Sequence, residues 1–202
     1  MAEVVDARYG SWNRRLARAV CRPFVGSELT PNHITTLRVL TGFGACGLFA
    51  YGGPTAANWA GVLWVLSAFL DRCDGEFARL TGLSSRRGHL YDITGDITIN
   101  AAVFAAVGIG LTVSGGDWWP LTIGVLAAAG IAIASILAEF NEQDMGQGQK
   151  TFSGGLGFDF DDLIYVIALF PWIGQLELLL ICGSIGGPLA AIVIGWKLIR
   201  KK

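Results

Sequence analysis

Five stretches of this sequence stay apolar for about the length a helix needs to cross a bilayer, roughly 20 residues. They fall at residues 34–51, 57–80, 88–113, 118–140 and 176–196. A chain of 202 residues with five such stretches has little left for a soluble domain. Only 15% of its residues are charged, against about 25% in soluble domains. Disorder is excluded, because it needs low hydrophobicity and high charge. Four scattered cysteines, mostly inside apolar runs, do not make a disulfide scaffold. The 28 glycines suit close helix packing in lipid. A net charge of −1 gives no footing for nucleic acid. The expectation is an all-α polytopic membrane protein.

A sixth, shorter apolar run at 163–173 is marginal as a span by itself. It crosses only if it begins within the Asp161–Asp162 segment or packs against neighbours. Pro171 and Gly174 then turn the chain into the last helix, which Pro188 should kink. Ahead of the first span, residues 11–26 lack the apolar core and cleavage site of a signal peptide. They interleave Arg14, Arg15, Arg18 and Arg22 with Trp12, Leu16, Val20 and Phe24. That spacing predicts an amphipathic helix lying on the membrane surface. The organisation expected is a leader over 1–30 and a six-helix membrane domain over 31–202.

Charge supports six crossings. Both termini then share a side, and all 15 Lys and Arg residues fall on or near it. The opposite turns, at 52–55, 114–117 and 174–175, carry none. This asymmetry places both termini in the cytoplasm.

The second and third apolar stretches meet across a short turn, and there the sequence carries charge. Asp71, Arg72, Asp74, Glu76 and Arg79 end one helix, while Asp92 and Asp96 begin the next. Ionisable groups at membrane depth are costly and usually face a polar cavity. Asp71 and Asp74 are three apart, Asp92 and Asp96 four apart, so each pair shares a helix face. In an antiparallel hairpin the four carboxylates converge near the cytoplasmic surface. They remain ionised together only around a cation. Hard oxygen donors suit Mg²⁺, Mn²⁺ or Ca²⁺, and Mg²⁺ leaves positions that phosphate oxygens fill. Arg79 offers a fork for phosphate, and Gly75 lets a ligand approach the backbone. Cys73 faces elsewhere, and lone His89 reads as a capping or interface residue. The chemistry is that of a diphosphate and a metal at a membrane surface.

Residues 71–96 read D-x2-D-G-x2-A-R-x8-G-x3-D-x3-D. This is similar to the signature of the CDP-alcohol phosphotransferase family, matched at Asp71, Asp74, Gly75, Ala78, Arg79, Gly88, Asp92 and Asp96. The segment Thr30-Pro31-Asn32-His33-Ile34-Thr35 and the six-helix plan also resemble the family. The resemblance implies that Asp71, Asp74 and Asp92 hold one or two divalent metals, Mg²⁺ or Mn²⁺. It implies that Asp96 is a further ligand and the general base. Gly75, Ala78 and Arg79 resemble the CDP cradle, with Asn32 and Thr35 lining the nucleotide pocket. Gly88 resembles the small residue that lets the second and third spans approach. The implied donor is a CDP-alcohol, with CDP-diacylglycerol placed first and a soluble CDP-headgroup meeting a lipid or polyol acceptor as the alternative, and the implied assembly is a homodimer.

The acceptor is less legible. A phosphorylated acceptor wants a second basic pocket, for which Arg86, Arg87 and Lys150 are the candidates, with Arg38 ranked below them. Ordinary positive-inside anchoring is the plain reading of Arg86 and Arg87. The segment 141–162 is acidic and polar, and solvated loop charge is its plain reading. The lean is to a polyol or polyol phosphate. Two other classes also place aspartates or carboxylates in membrane helices. Intramembrane prenyltransferases hold diphosphate with aspartates but need more helices. An ion-coupled transporter would carry its carboxylates near the midplane.

Overall fold

The computed structural model describes residues 12–145 and 160–200, and every regular element among them is helical. Seven α-helices follow in order: α1 Trp12–Cys21, α2 Pro31–Tyr51, α3 Pro54–Thr81, α4 Arg86–Gly115, α5 Trp119–Met145, α6 Leu169–Trp172 and α7 Leu176–Arg200. Short 3-10 segments at Arg22–Phe24 and Phe160–Ala168 complete the fold.

Local chemistry sets the ends. Pro31 occupies the first turn of α2, where its missing N–H costs nothing. The Thr30 N–H donates to Nδ1 of His33 across that turn. α3 stops at Gly82, whose φ of 69° is left-handed and closes the helix on the Ala78 carbonyl. Three residues later the Ser85 hydroxyl caps α4 by accepting from the Gly88 N–H at 3.0 Å. The expected antiparallel hairpin therefore forms, with the aspartates of both helices at its closed end.

Four helices are long and apolar enough to cross a membrane: α2, α4, α7 and, within α5, Trp119–Glu142. The second stretch, expected as a span at 57–80, forms the 28-residue α3. It is not among those four because charged residues fill its last third. At 1.5 Å per residue its length is still roughly 42 Å. The run at 163–173 departs further from expectation. It is not an α-helix of spanning length but a 3-10 segment followed by the single turn α6. Two hydrogen bonds to α3 fix its path. Trp64 Nε1 of α3 donates to the Ile164 carbonyl at 2.8 Å, and Trp172 Nε1 donates to the Asn58 carbonyl at 3.2 Å. Anchored at both points, the segment runs antiparallel along α3, toward the end away from the aspartates. α7 begins there.

α2 packs between α3 and α4, and α5 lies between α4 and α7. The core is built from Phe49, Trp64, Val103, Val107 and Leu180, all nearly inaccessible. At Gly110 of α4, an added Cβ would collide with the Phe49 carbonyl of α2, so the two backbones touch there. α1 packs on α3 through a narrow face of Asn13, Ala17 and Cys21, joining Cys73, Phe77 and Ile34 in a second small core. Trp12, Leu16, Val20 and Phe24 all stay exposed. The leader is thus two-faced: small residues dock it to the protein, and its large apolar residues face outward.

Candidate active site

The first turns of α4 and the last turns of α3 bring their carboxylates together as the sequence spacing requires. Asp71, Asp74 and Asp92 each present an oxygen within 4.8 Å of the other two. Oxygens around an octahedral Mg²⁺ stand about 3 to 4 Å apart. Small side-chain adjustments would bring this triad onto one ion, and three carboxylates are the hard donors it prefers. The residues present therefore fit a divalent cation.

Asp74 is buried, and the hydroxyl of Thr35, one turn into α2, donates to its Oδ2 at 2.9 Å. The same hydroxyl lies 3.1 Å from the Pro31 carbonyl one turn back, a second acceptor for its single proton. The remaining aspartates open progressively, from 23% side-chain exposure at Asp71 to 33% at Asp92 and 38% at Asp96. Asp96, expected as a fourth ligand, stands outside the triad. Its Oδ1 is engaged by Arg38 Nη2.

Arg38 departs most from expectation, which sets it below Arg86, Arg87 and Lys150 as an acceptor-binding residue. The structure buries it at 3% exposure in the middle of the carboxylates. Nη1 lies 3.1 Å from Asp71 and 2.6 Å from Asp92, while Nη2 takes Asp96. Its carbonyl accepts from the Ser67 hydroxyl of α3 at 3.0 Å and from Thr41 at 2.9 Å. One signal was available: Arg38 is the only charged residue in the window 34–51. A lone charge in an apolar helix points inward, toward partners.

The other expected residues separate into groups. Gly75 and Ala78 line the same face of α3, and the Arg79 guanidinium lies over Gly75. Arg79 also pairs with Glu76 and leaves 57% of its side chain open. Asn32 is exposed at the start of α2. Gly88 was expected to let α3 and α4 approach. Its open side instead faces α2: a Cβ there would come 2.8 Å from Asn32 Oδ1 and 3.1 Å from the Ser85 hydroxyl. The reason is that Gly88 sits in the first turn of α4, where the tip of α2 crosses. Arg86 and Arg87 are exposed at the head of α4. Lys150 lies outside the described residues. Glu76, given no role from sequence, is buried at 2%.

A family model described as CDP-alcohol phosphatidyltransferase matches residues 28–196. A curated relative from Rubrobacter xylanophilus, the bifunctional IPC transferase and DIPP synthase, is 30% identical over 148 residues, 73% of this chain. The chain spans about a third of that relative's length, 32%. Among solved structures, phosphatidylinositol phosphate synthase of Mycobacterium tuberculosis with CDP-DAG bound superposes with a TM-score of 0.61 at 20% identity. It covers 92% of this chain and 91% of that one. The same synthase in complex with manganese and citrate gives 0.61 at 19%, over 91% and 86%. At these identities the likeness is one of fold.

Proposed function

The chain belongs to the CDP-alcohol phosphatidyltransferase family, and from that premise we propose that it is an integral membrane transferase acting on a CDP-alcohol. The reaction moves a substituted phosphate group to the hydroxyl of a polyol or polyol phosphate and releases CMP. CDP-diacylglycerol is the first donor to test. The observation that carries this reading is the Asp71, Asp74 and Asp92 triad at the closed end of the α3–α4 hairpin.

Asp71, Asp74 and Asp92 would hold the divalent cation, Mg²⁺ or Mn²⁺. When bound, it neutralises phosphate charge and stabilises the leaving group. The chain's own residues do the rest. Thr35 orients the Asp74 carboxylate. Gly75 and Ala78 leave room for the nucleotide against α3, with Asn32 at its rim, and Arg79 supplies guanidinium donors to phosphate oxygens. Asp96, the most open of the Arg38-paired carboxylates, accepts the proton of the acceptor hydroxyl as it attacks phosphorus. Arg38 holds that carboxylate in place. Metal-assisted phosphoryl transfer depends mostly on such positioning and electrostatics. Arg86, Arg87 and Lys150 are the residues to probe for a phosphorylated acceptor.

Six crossings with both termini and the site in the cytoplasm fit this reading. The run 164–172 follows α3 from Trp64 to Asn58, away from the aspartates, before α7 begins. α1 then lies at the same surface as the site with its apolar residues toward lipid. A homodimer is the expected assembly.

A soluble CDP-headgroup donor, with a lipid or polyol acceptor, is the second reading. The test is CMP release by the purified protein with Mg²⁺ and CDP-diacylglycerol. Glycerol phosphate, inositol phosphate, inositol and serine are added one at a time. Release that depends on one acceptor, with a lipid product, establishes the first reading. No release with any of them, but release from a CDP-headgroup, establishes the second.

A further inference from the structure

Glu76 follows Asp74-Gly75 in α3, and its carboxylate is among the buried charged groups of the fold. It is 2% exposed, so its charge must be matched. Two arginines do this, one on each oxygen. Arg18 of α1 brings Nε and Nη2 to Oε2, both at 2.9 Å. Arg79, one turn on in α3, brings Nη1 to Oε1. The trio carries a net charge of +1. Only Arg79 is widely open, at 57% against 28% for Arg18. Its donors not used by Glu76 are free to meet an anion.

We infer that Glu76 is a positioning residue. Its buried carboxylate holds the Arg79 guanidinium toward the nucleotide's phosphates, and Arg18 steadies that carboxylate, so docking of α1 sets donor affinity. The inference rests on the reading of Arg79 as part of the CDP site. It differs from a plain structural role in sign. Removing a negative charge beside an anionic ligand tightens binding by Coulomb attraction alone. Losing the clamp on Arg79 weakens it, because the guanidinium must then be ordered by the ligand.

The experiment measures CMP affinity and melting temperature of the full chain with Mg²⁺, for wild type, Arg79→Met, Glu76→Gln, Arg18→Met and the double swap Arg18→Glu with Glu76→Arg. Glu76→Gln is expected to weaken CMP binding about tenfold, as loss of an orienting partner typically does. Arg18→Met should weaken it less while lowering the melting temperature. The swap restores an ion pair between α1 and α3, but sets a like charge beside Arg79. Stability should recover and affinity should not. Recovery of both in the swap, or unchanged or tighter CMP binding by Glu76→Gln, overturns the inference. If the swap does not fold, Glu76→Gln against Arg18→Met decides alone. Should Arg79→Met leave CMP affinity unchanged, the reading of Arg79 fails and this inference fails with it. Weakening by Arg79→Met without weakening by Glu76→Gln removes the inference and leaves that reading intact.

Discussion

Arg38 Nη1 stands 2.6 Å from Asp92 Oδ1, joining two helices at residues 54 apart in sequence. A cation of the protein's own thus sits among the carboxylates that would hold a divalent ion. Arg38→Met should therefore destabilise the metal-free protein. The cost is about 2 kcal/mol, below that of a fully buried pair, because Asp92 and Asp96 stay partly open. Added Mn²⁺ should raise the variant's melting temperature more than that of wild type. Equal shifts for the two proteins would show that Arg38 does not offset carboxylate repulsion.

Asp96→Asn keeps the size and one acceptor of the side chain but removes its basicity. Turnover should fall by about two to four orders of magnitude, while CMP affinity changes little. Single-turnover CMP release and equilibrium CMP binding separate the two effects. Catalysis retained by the variant would remove Asp96 as the base.

Chelation with EDTA should abolish CMP release, and either Mg²⁺ or Mn²⁺ should restore it. Asp74→Asn should lower Mn²⁺ affinity by at least about tenfold, since the triad loses its buried carboxylate and Thr35 loses a charged partner. Electron paramagnetic resonance of bound Mn²⁺ reads this without reference to activity. Wild-type Mn²⁺ affinity in the variant would place the ion elsewhere.

Cys21 gives a pH prediction outside the spans. Burial pushes its thiol above the ordinary value of 9.0, and the charges of Glu76 and Asp74 push the same way, against the opposing hydrogen bond with Cys73. A raised folded value means the docked state holds the proton more tightly. The stabilisation is complete below pH 9 and is lost as pH rises through the raised value. Maleimide labelling of Cys21, in a Cys182→Ser background, should be slow at neutral pH and accelerate above pH 9. Fast labelling at pH 7 would mean that α1 is undocked.

Much of this was legible in the sequence because helical periodicity is local. The spacings of Asp71 with Asp74 and of Asp92 with Asp96 define faces, and the short turn 82–85 leaves one way to bring them together. Gly82 and Ser85 carry their roles in their residue types. Arg38 was not legible in the same way, since its partners lie 33 to 58 residues away on other helices. Glu76 depends on Arg18, equally remote. The path of 164–172 along α3 is held by Trp64 and Trp172 reaching carbonyls across the fold, which no local pattern encodes.

The backbone contact between Gly110 and Phe49 matters beyond packing. Asp92 lies 18 residues from it along α4, a lever of roughly 27 Å at 1.5 Å per residue. A tilt of about three degrees at that contact displaces Asp92 by roughly 1.4 Å. Gly110→Ala, which would wedge the two helices apart, should therefore register first as a change in Mn²⁺ affinity at the distant end. The tolerance of the chemistry is set where no reacting group is present.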